Sequence, residues 1–173
     1  MTSELITSFL QRVDQLPKGD RTALKREAGT MLTQADGRAV RAFYQCLPPQ
    51  VKQQWQQEER YFAAGCLHCL WEADAVRQPM EQVLSQLGRD SELSESMAHR
   101  LESLLDLSWD EDGYLLTKLT RLVKVIKSKN YAVDCASLLA DLLYWNGEKQ
   151  TVQLKWARAL YMKPEEKTSE EGA

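Results

Sequence analysis

The sequence predicts an all-α fold, a compact bundle of about eight or nine helices arranged in two lobes. Apolar residues recur at helical spacing along nearly the whole chain, whereas the strict alternation of a strand is almost absent. Glycine, proline and aspartate separate the periodic segments at short intervals, which favours antiparallel neighbouring helices. With 173 residues and 43% hydrophobic content, the chain is long enough to bury a core without disulfides.

The first half contains five predicted helices. The first spans about residues 3–16, with Leu5, Phe9 and Val13 on one face. The sequence PKGD then breaks the chain, and Asp20 is suited to cap the next helix, RTALKREAGTML. A turn at ADG precedes RAVRAFYQCL, which two prolines end. A long helix of about residues 50–72 and a short one from Pro79 to Gly88 complete this half.

The second half contains four predicted helices. SESMAHRLESLLDL is amphipathic, and DEDG precedes a helix that contains the basic segment KLTRLVKVIKSKN. In NYAVD, Asp134 is suited to cap CASLLADLLYW, and a turn at NGEK leads to TVQLKWARALYM. We therefore predict an N-terminal lobe of residues 1–88 and a C-terminal lobe of residues 89–163. The acidic tail, residues 164–173, has almost no apolar content, which predicts disorder.

Charge is strongly segregated along the chain, although the net charge is only -3. The formal charge is +2 over residues 1–60, -8 over residues 61–113, +6 over residues 114–163 and -3 over the last ten. Such asymmetry indicates what a protein associates with rather than how it folds. The basic lobe is a candidate for nucleic-acid binding, and the acidic middle could face a basic protein neighbour.

The segment from Lys118 to Asn130 carries five basic side chains and no acidic one. On a helical wheel, Leu119 and its apolar neighbours form a core-facing stripe, and the basic residues spread over the opposite side. No acidic residue stands one turn away to neutralise them. A second basic group lies in KGDRTALKR. The two groups predict contacts to nucleic-acid phosphates by Lys18, Arg21, Lys25, Arg26, Arg121, Lys124 and Lys127. An ordinary solvated helix face is the alternative.

No pattern in the sequence points to an enzyme, a membrane segment or a bound metal. It has no glycine-rich phosphate loop, no HExxH motif and no nucleophile elbow. Asp110 and Asp112 are typical of a helix start, where acids complement the dipole. Cys66 and Cys69 form a CxxC inside an apolar helical run, which favours buried thiols over a redox or zinc site. We predict no catalytic residue, cofactor or membrane contact, and a cytoplasmic protein.

Three stretches together resemble the CasB family, the small subunit of the type I-E Cascade CRISPR interference complex. They are KGDRTALKR, AFYQCLP and the run LTRLVKVIKSKNYAVDCASLLADLLYWN followed by WARALY. The resemblance covers about residues 18–163 and is weak across residues 72–113. Two positions depart from the family pattern. His99-Arg100-Leu101 stands where the family often has consecutive arginines before phenylalanine, and Cys135 replaces a tryptophan.

The resemblance implies a non-catalytic helical subunit that helps to hold an R-loop in antiviral defence. Its implied partners are the Cas7-type backbone, the large subunit, a second copy of itself, guide RNA and target DNA. It also implies that basic residues follow the backbones of the target strand and the displaced non-target strand. It adds Lys149, in the turn after Trp145, to the predicted contacts. A helical protein–protein adaptor whose basic face docks an acidic partner remains the alternative function.

Overall fold

The computed structural model describes residues 2–51 and 55–162, except for the side chain of Trp55. Within these ranges the chain forms nine α-helices and two short 3-10 helices, which confirms the all-α prediction. The α-helices are α1 (Thr2–Asp14), α2 (Lys18–Arg26), α3 (Gly37–Cys46), α4 (Trp55–His68), α5 (Met80–Gly88), α6 (Ser94–Leu105), α7 (Tyr114–Ser128), α8 (Cys135–Leu143) and α9 (Thr151–Tyr161). The predicted disordered tail, residues 164–173, lies outside the described residues.

The helices enclose one continuous hydrophobic core that extends from Ile6 in α1 to Leu160 in α9. The most extensive packing is that of α5 against α9, followed by α4 against α8, and α8 also packs against α1. These contacts join helices on both sides of the predicted boundary after Gly88, so the two halves share apolar surface. The division into two lobes stays a prediction. None of the helices in the described ranges is long and apolar enough to cross a bilayer.

The second helix differs from the prediction at both ends. It begins at Lys18, after Pro17, so Asp20 lies in its first turn and does not cap it. Asp20 instead accepts hydrogen bonds from two arginines of α3, because charged guanidinium donors are stronger partners than a backbone amide. The helix ends at Arg26, three residues before Gly29, whose φ of 91° is in the left-handed region.

The predicted cap of α8 is confirmed. Asp134 caps α8 by accepting a hydrogen bond from the amide of Ala136 at 3.0 Å. Trp145 and Trp156 are buried core residues whose ring centroids lie 5.1 Å apart. Tyr161 lies at the surface, and its hydroxyl donates to the carbonyl of Ala98. The long fourth helix is shorter than predicted and ends at His68.

Candidate nucleic-acid interface

The apolar stripe of α7 is buried, and this fixes the direction of the helix's basic side chains. The buried residues are Leu115, Leu116, Leu119, Thr120, Leu122, Val123 and Ile126. Because successive residues turn by about 100°, Arg121 and Lys124 face solvent, as the sequence predicts. Lys127 is half-buried and lines the same hollow as Trp71. No carboxylate of residues 2–51 or 55–162 lies within 4 Å of these three cations.

The basic group of α2 divides into exposed and inward-facing side chains. Lys18, Lys25 and Arg26 are exposed. Arg21 is only 19% exposed; its Nη2 donates to the carbonyl of Trp71 at 3.4 Å and lies 3.8 Å from Asp14 Oδ1. Arg21 therefore links α2 to α1 and to the end of α4, and its predicted phosphate contact stays a prediction.

Two contacts relate the basic groups of α2 and α7. Gly29, just after α2, lies so close to α7 that a β-carbon there would be 3.2 Å from Cγ2 of Thr120. At the other end of α2, Arg21 bonds the carbonyl of Trp71, and Trp71 and Lys127 line one hollow of about 440 Å³. The segment after α2 therefore lies against the middle of α7, and Trp71 contacts Arg21 while it lines the same hollow as Lys127.

Lys149 lies farther along the molecule, in the turn between α8 and α9, and is exposed. That turn is anchored by Asn146, whose side chain bonds both the amide and the carbonyl of Trp109 at 2.8 and 2.9 Å. Trp109 precedes the start of α7, whereas Lys127 is near its end. The turn that carries Lys149 is therefore held against the segment before α7, whereas Lys127 is near the other end of that helix.

The residues considered as metal or redox groups are bonded locally, as Asp110 and Asp112 are, or buried in the core, as Cys66 and Cys69 are. Asp110 Oδ1 accepts from the amide of Asp112 at 3.0 Å, and no group of three potential ligands in the described part of the chain could hold a metal ion. All four cysteines are buried and reduced. Burial raises the pKa of the Cys69 thiol to about 11, so the reactive thiolate is disfavoured. The interpretation of the CxxC as buried thiols is confirmed.

His68 is a buried histidine with a polar partner. Its Nε2 lies 2.8 Å from Asp14 Oδ1, while its Nδ1 has no partner among the described residues. Burial and the nearby Arg77 lower the pKa of His68 below its usual value, although the contact with Asp14 acts in the opposite direction. The burial effect is the largest, so the neutral ring is favoured.

Arg38 and Arg41 of α3 are two surface arginines that the predicted basic groups do not include. Their side chains are 58% and 55% exposed, and each bonds the same carboxylate oxygen of Asp20. The spacing of three residues in GRAVRAFYQ, which puts both on one side of a helix, was the available signal. The pair adds positive charge beside the basic group of α2.

The family of CRISPR-associated protein Cse2 matches residues 20–161 of the chain. Solved structures are similar at low identity. A Cse2-family protein from Thermus thermophilus has 23% identity and a TM-score of 0.73, covering 92% of this chain and 97% of that one. CasB from M. ruber has 22% identity and a TM-score of 0.67, covering 93% of both chains.

A chain of a structure described as a CRISPR RNA-guided surveillance complex is also similar. It shares 22% identity and a TM-score of 0.72, covering 92% of this chain and 93% of that one. No curated protein sequence matches the chain. At these identities the structural likeness shows a shared fold.

Proposed function

This chain belongs to the CRISPR-associated Cse2 family, and we propose that it is a non-catalytic small subunit of a type I-E Cascade surveillance complex. In that role it binds the backbones of target DNA and the displaced non-target strand and stabilises the R-loop. Guide RNA reads the target sequence by base pairing, and the protein supplies a positively charged surface for the strands.

The observation that carries this proposal is the exposed basic face of α7, to which the exposed cations of α2 add a second basic group. Its cations Arg121 and Lys124 lack carboxylate neighbours in the described ranges, and they project away from a fully buried stripe of the same helix. Lysine and arginine side chains that face solvent can neutralise phosphates without contacting bases. Such a surface binds any sequence, which is what a subunit requires when the guide provides specificity.

The acidic middle of the chain supports contacts with other proteins. Residues 61–113 carry a formal charge of -8, so they are unsuited to nucleic acid and suited to a basic protein surface. We propose that this part of the chain contacts other Cascade subunits: the Cas7-type backbone, the large subunit or the second copy of this chain. The subunit would then hold the complex with one part of its surface and the strands with another.

Co-expression with the other Cascade subunits and a guide RNA tests the proposal. We expect the chain to elute with the guide-containing complex and to increase the lifetime of the complex on target DNA. A complex that forms without the chain and holds DNA equally well with or without it would refute the role. If the chain assembles but leaves DNA retention unchanged, the protein adaptor becomes the better assignment.

A further inference from the structure

A hollow of about 400 Å³ opens along α2, between this helix and the start of α3. Three cationic side chains line it: Lys18 and Arg26 from α2 and Arg38 from α3. One carboxylate, that of Asp36, also lines it. Because positive charges exceed negative ones by two, the hollow favours an anionic group.

The guanidinium of Arg38 is held in a defined position at the edge of this hollow. Its Nε donates to Asp20 Oδ1 at 3.0 Å, and Asp20 is fixed in turn by Arg41 Nη2 at 2.9 Å. The Asp20 side chain is only 8% exposed, so the carboxylate has little freedom. The two terminal nitrogens of Arg38 have no partner among the residues that the structure describes, which leaves donors available to a ligand.

Gly19 allows Arg38 to lie across the first turn of α2. A β-carbon at Gly19 would collide with Nη2 of Arg38, so the guanidinium occupies the space that a side chain would fill. Gly19 has ordinary helical geometry and no positive φ, and hence the backbone itself does not require glycine here. The close approach of Arg38 is the feature that an added side chain would disturb.

Asp36 offsets only one of the three positive charges that line the hollow. Its Oδ1 already accepts the amide hydrogen of Ala39 at 2.9 Å, as the cap of α3. This bond lowers the pKa of Asp36, so the carboxylate is charged at neutral pH. Since it contributes one negative charge against three positive ones, the lining stays net positive.

We propose that this hollow is a seat for one phosphate of the nucleic-acid backbone, contacted by Arg38 together with Lys18 and Arg26. Asp20 is a positioning residue that aims the Arg38 guanidinium. The proposal rests on the nucleic-acid role proposed above and adds a defined phosphate site to it. The forked guanidinium matches the phosphate oxygens, and no base is read.

Arg38→Ala and Arg41→Ala are a matched pair for the test. Both arginines lie on α3, both bond Asp20 Oδ1 and both are just over half exposed, but only Arg38 lines the hollow. Target-DNA affinity is measured against salt concentration in the assembled complex. We expect Arg38→Ala to flatten the slope of log affinity against log salt by ~0.7–0.9 and to weaken binding by about five- to eightfold near 0.1 M salt.

Arg41→Ala should change the slope much less, because its side chain stays outside the seat. If both variants flatten the slope equally, the arginines act only as general surface charge and the seat is refuted. No change in either variant refutes it as well. If Arg38→Ala abolishes subunit assembly while the isolated protein stays folded, the hollow binds an acidic protein group instead.

Gly19→Ala provides a test that leaves the charge unchanged. Alanine forms helix better than glycine, so the variant should melt at the wild-type temperature or higher. The added methyl group should displace the Arg38 guanidinium, and DNA affinity should fall although no cation is lost. Wild-type affinity in Gly19→Ala would overturn the assigned geometry. A further outcome separates this proposal from the proposed function. If changing the α7 cations causes loss of DNA retention while Arg38→Ala and Arg41→Ala have equal effects on the salt slope, the proposed function stands and only the seat is refuted.

Discussion

Replacing Arg121, Lys124 and Lys127 together by alanine tests whether α7 lies along nucleic-acid phosphates. Each lost phosphate contact flattens the slope of log affinity against log salt by ~0.7 for a single strand and ~0.9 for duplex DNA. Three contacts therefore amount to about 2.1–2.7 units. Because the electrostatic contribution vanishes near 1 M salt, the affinity at 0.1 M should fall by about 100- to 500-fold.

The structure predicts that this variant stays folded. The buried stripe of α7 is on the other side of the helix, and none of the three cations makes an ion pair with another described residue. Helicity measured by circular dichroism and the melting temperature should be close to those of the wild type, since alanine has the highest helix propensity. Guide loading and subunit assembly should also be preserved.

The assay is retention of target DNA by the assembled complex at several salt concentrations, with two unrelated protospacers. A control variant removes three exposed arginines from other helices or connections, Arg12, Arg89 and Arg158, and so changes the net charge equally. We expect the α7 variant to lose affinity by the same factor on both protospacers, and the control to lose much less. Wild-type affinity and slope in the α7 variant would reduce this helix to a solvated face, and equal losses in both variants would show a general charge effect.

Two further predictions concern titration and catalysis. Burial lowers the pKa of His68 in the folded protein, so the neutral ring stabilises the fold above the unfolded pKa of 6.5. This stabilisation is lost as the pH falls below 6.5, because the unfolded chain then binds a proton that the folded protein does not. The free energy of unfolding should change by at most about 1.4 kcal/mol per pH unit. Urea unfolding at several pH values should show this loss in the wild type and in His99→Gln but not in His68→Gln, and an unchanged profile in His68→Gln would contradict it. The purified protein should not cleave DNA or RNA with or without divalent metal; a nuclease activity that disappears on changing Asp110 or Asp112 to asparagine would overturn the non-catalytic assignment.

The sequence predicted the helices and the exposed cations of α7 because both depend on local periodicity. A helix turns by about 100° per residue, so the spacing of Leu119, Leu122 and Ile126 already defines which side is buried. The direction of Arg121 and Lys124 follows from the same geometry. The cap at Asp134 is also local, since it involves an amide only two positions away.

The roles of Asp20, Arg21 and Arg38 were decided only by tertiary structure. Arg21 bonds a carbonyl 50 positions away in the chain, and Asp20 pairs with arginines 18 and 21 positions later. No local pattern ranks such partners above solvent, because helices that are separate in sequence must first be packed side by side. The sequence therefore determined that α2 and α7 carry positive charge and which face of α7 exposes it. Packing determined that Arg21 turns inward and that Arg38 borders the hollow beside α2.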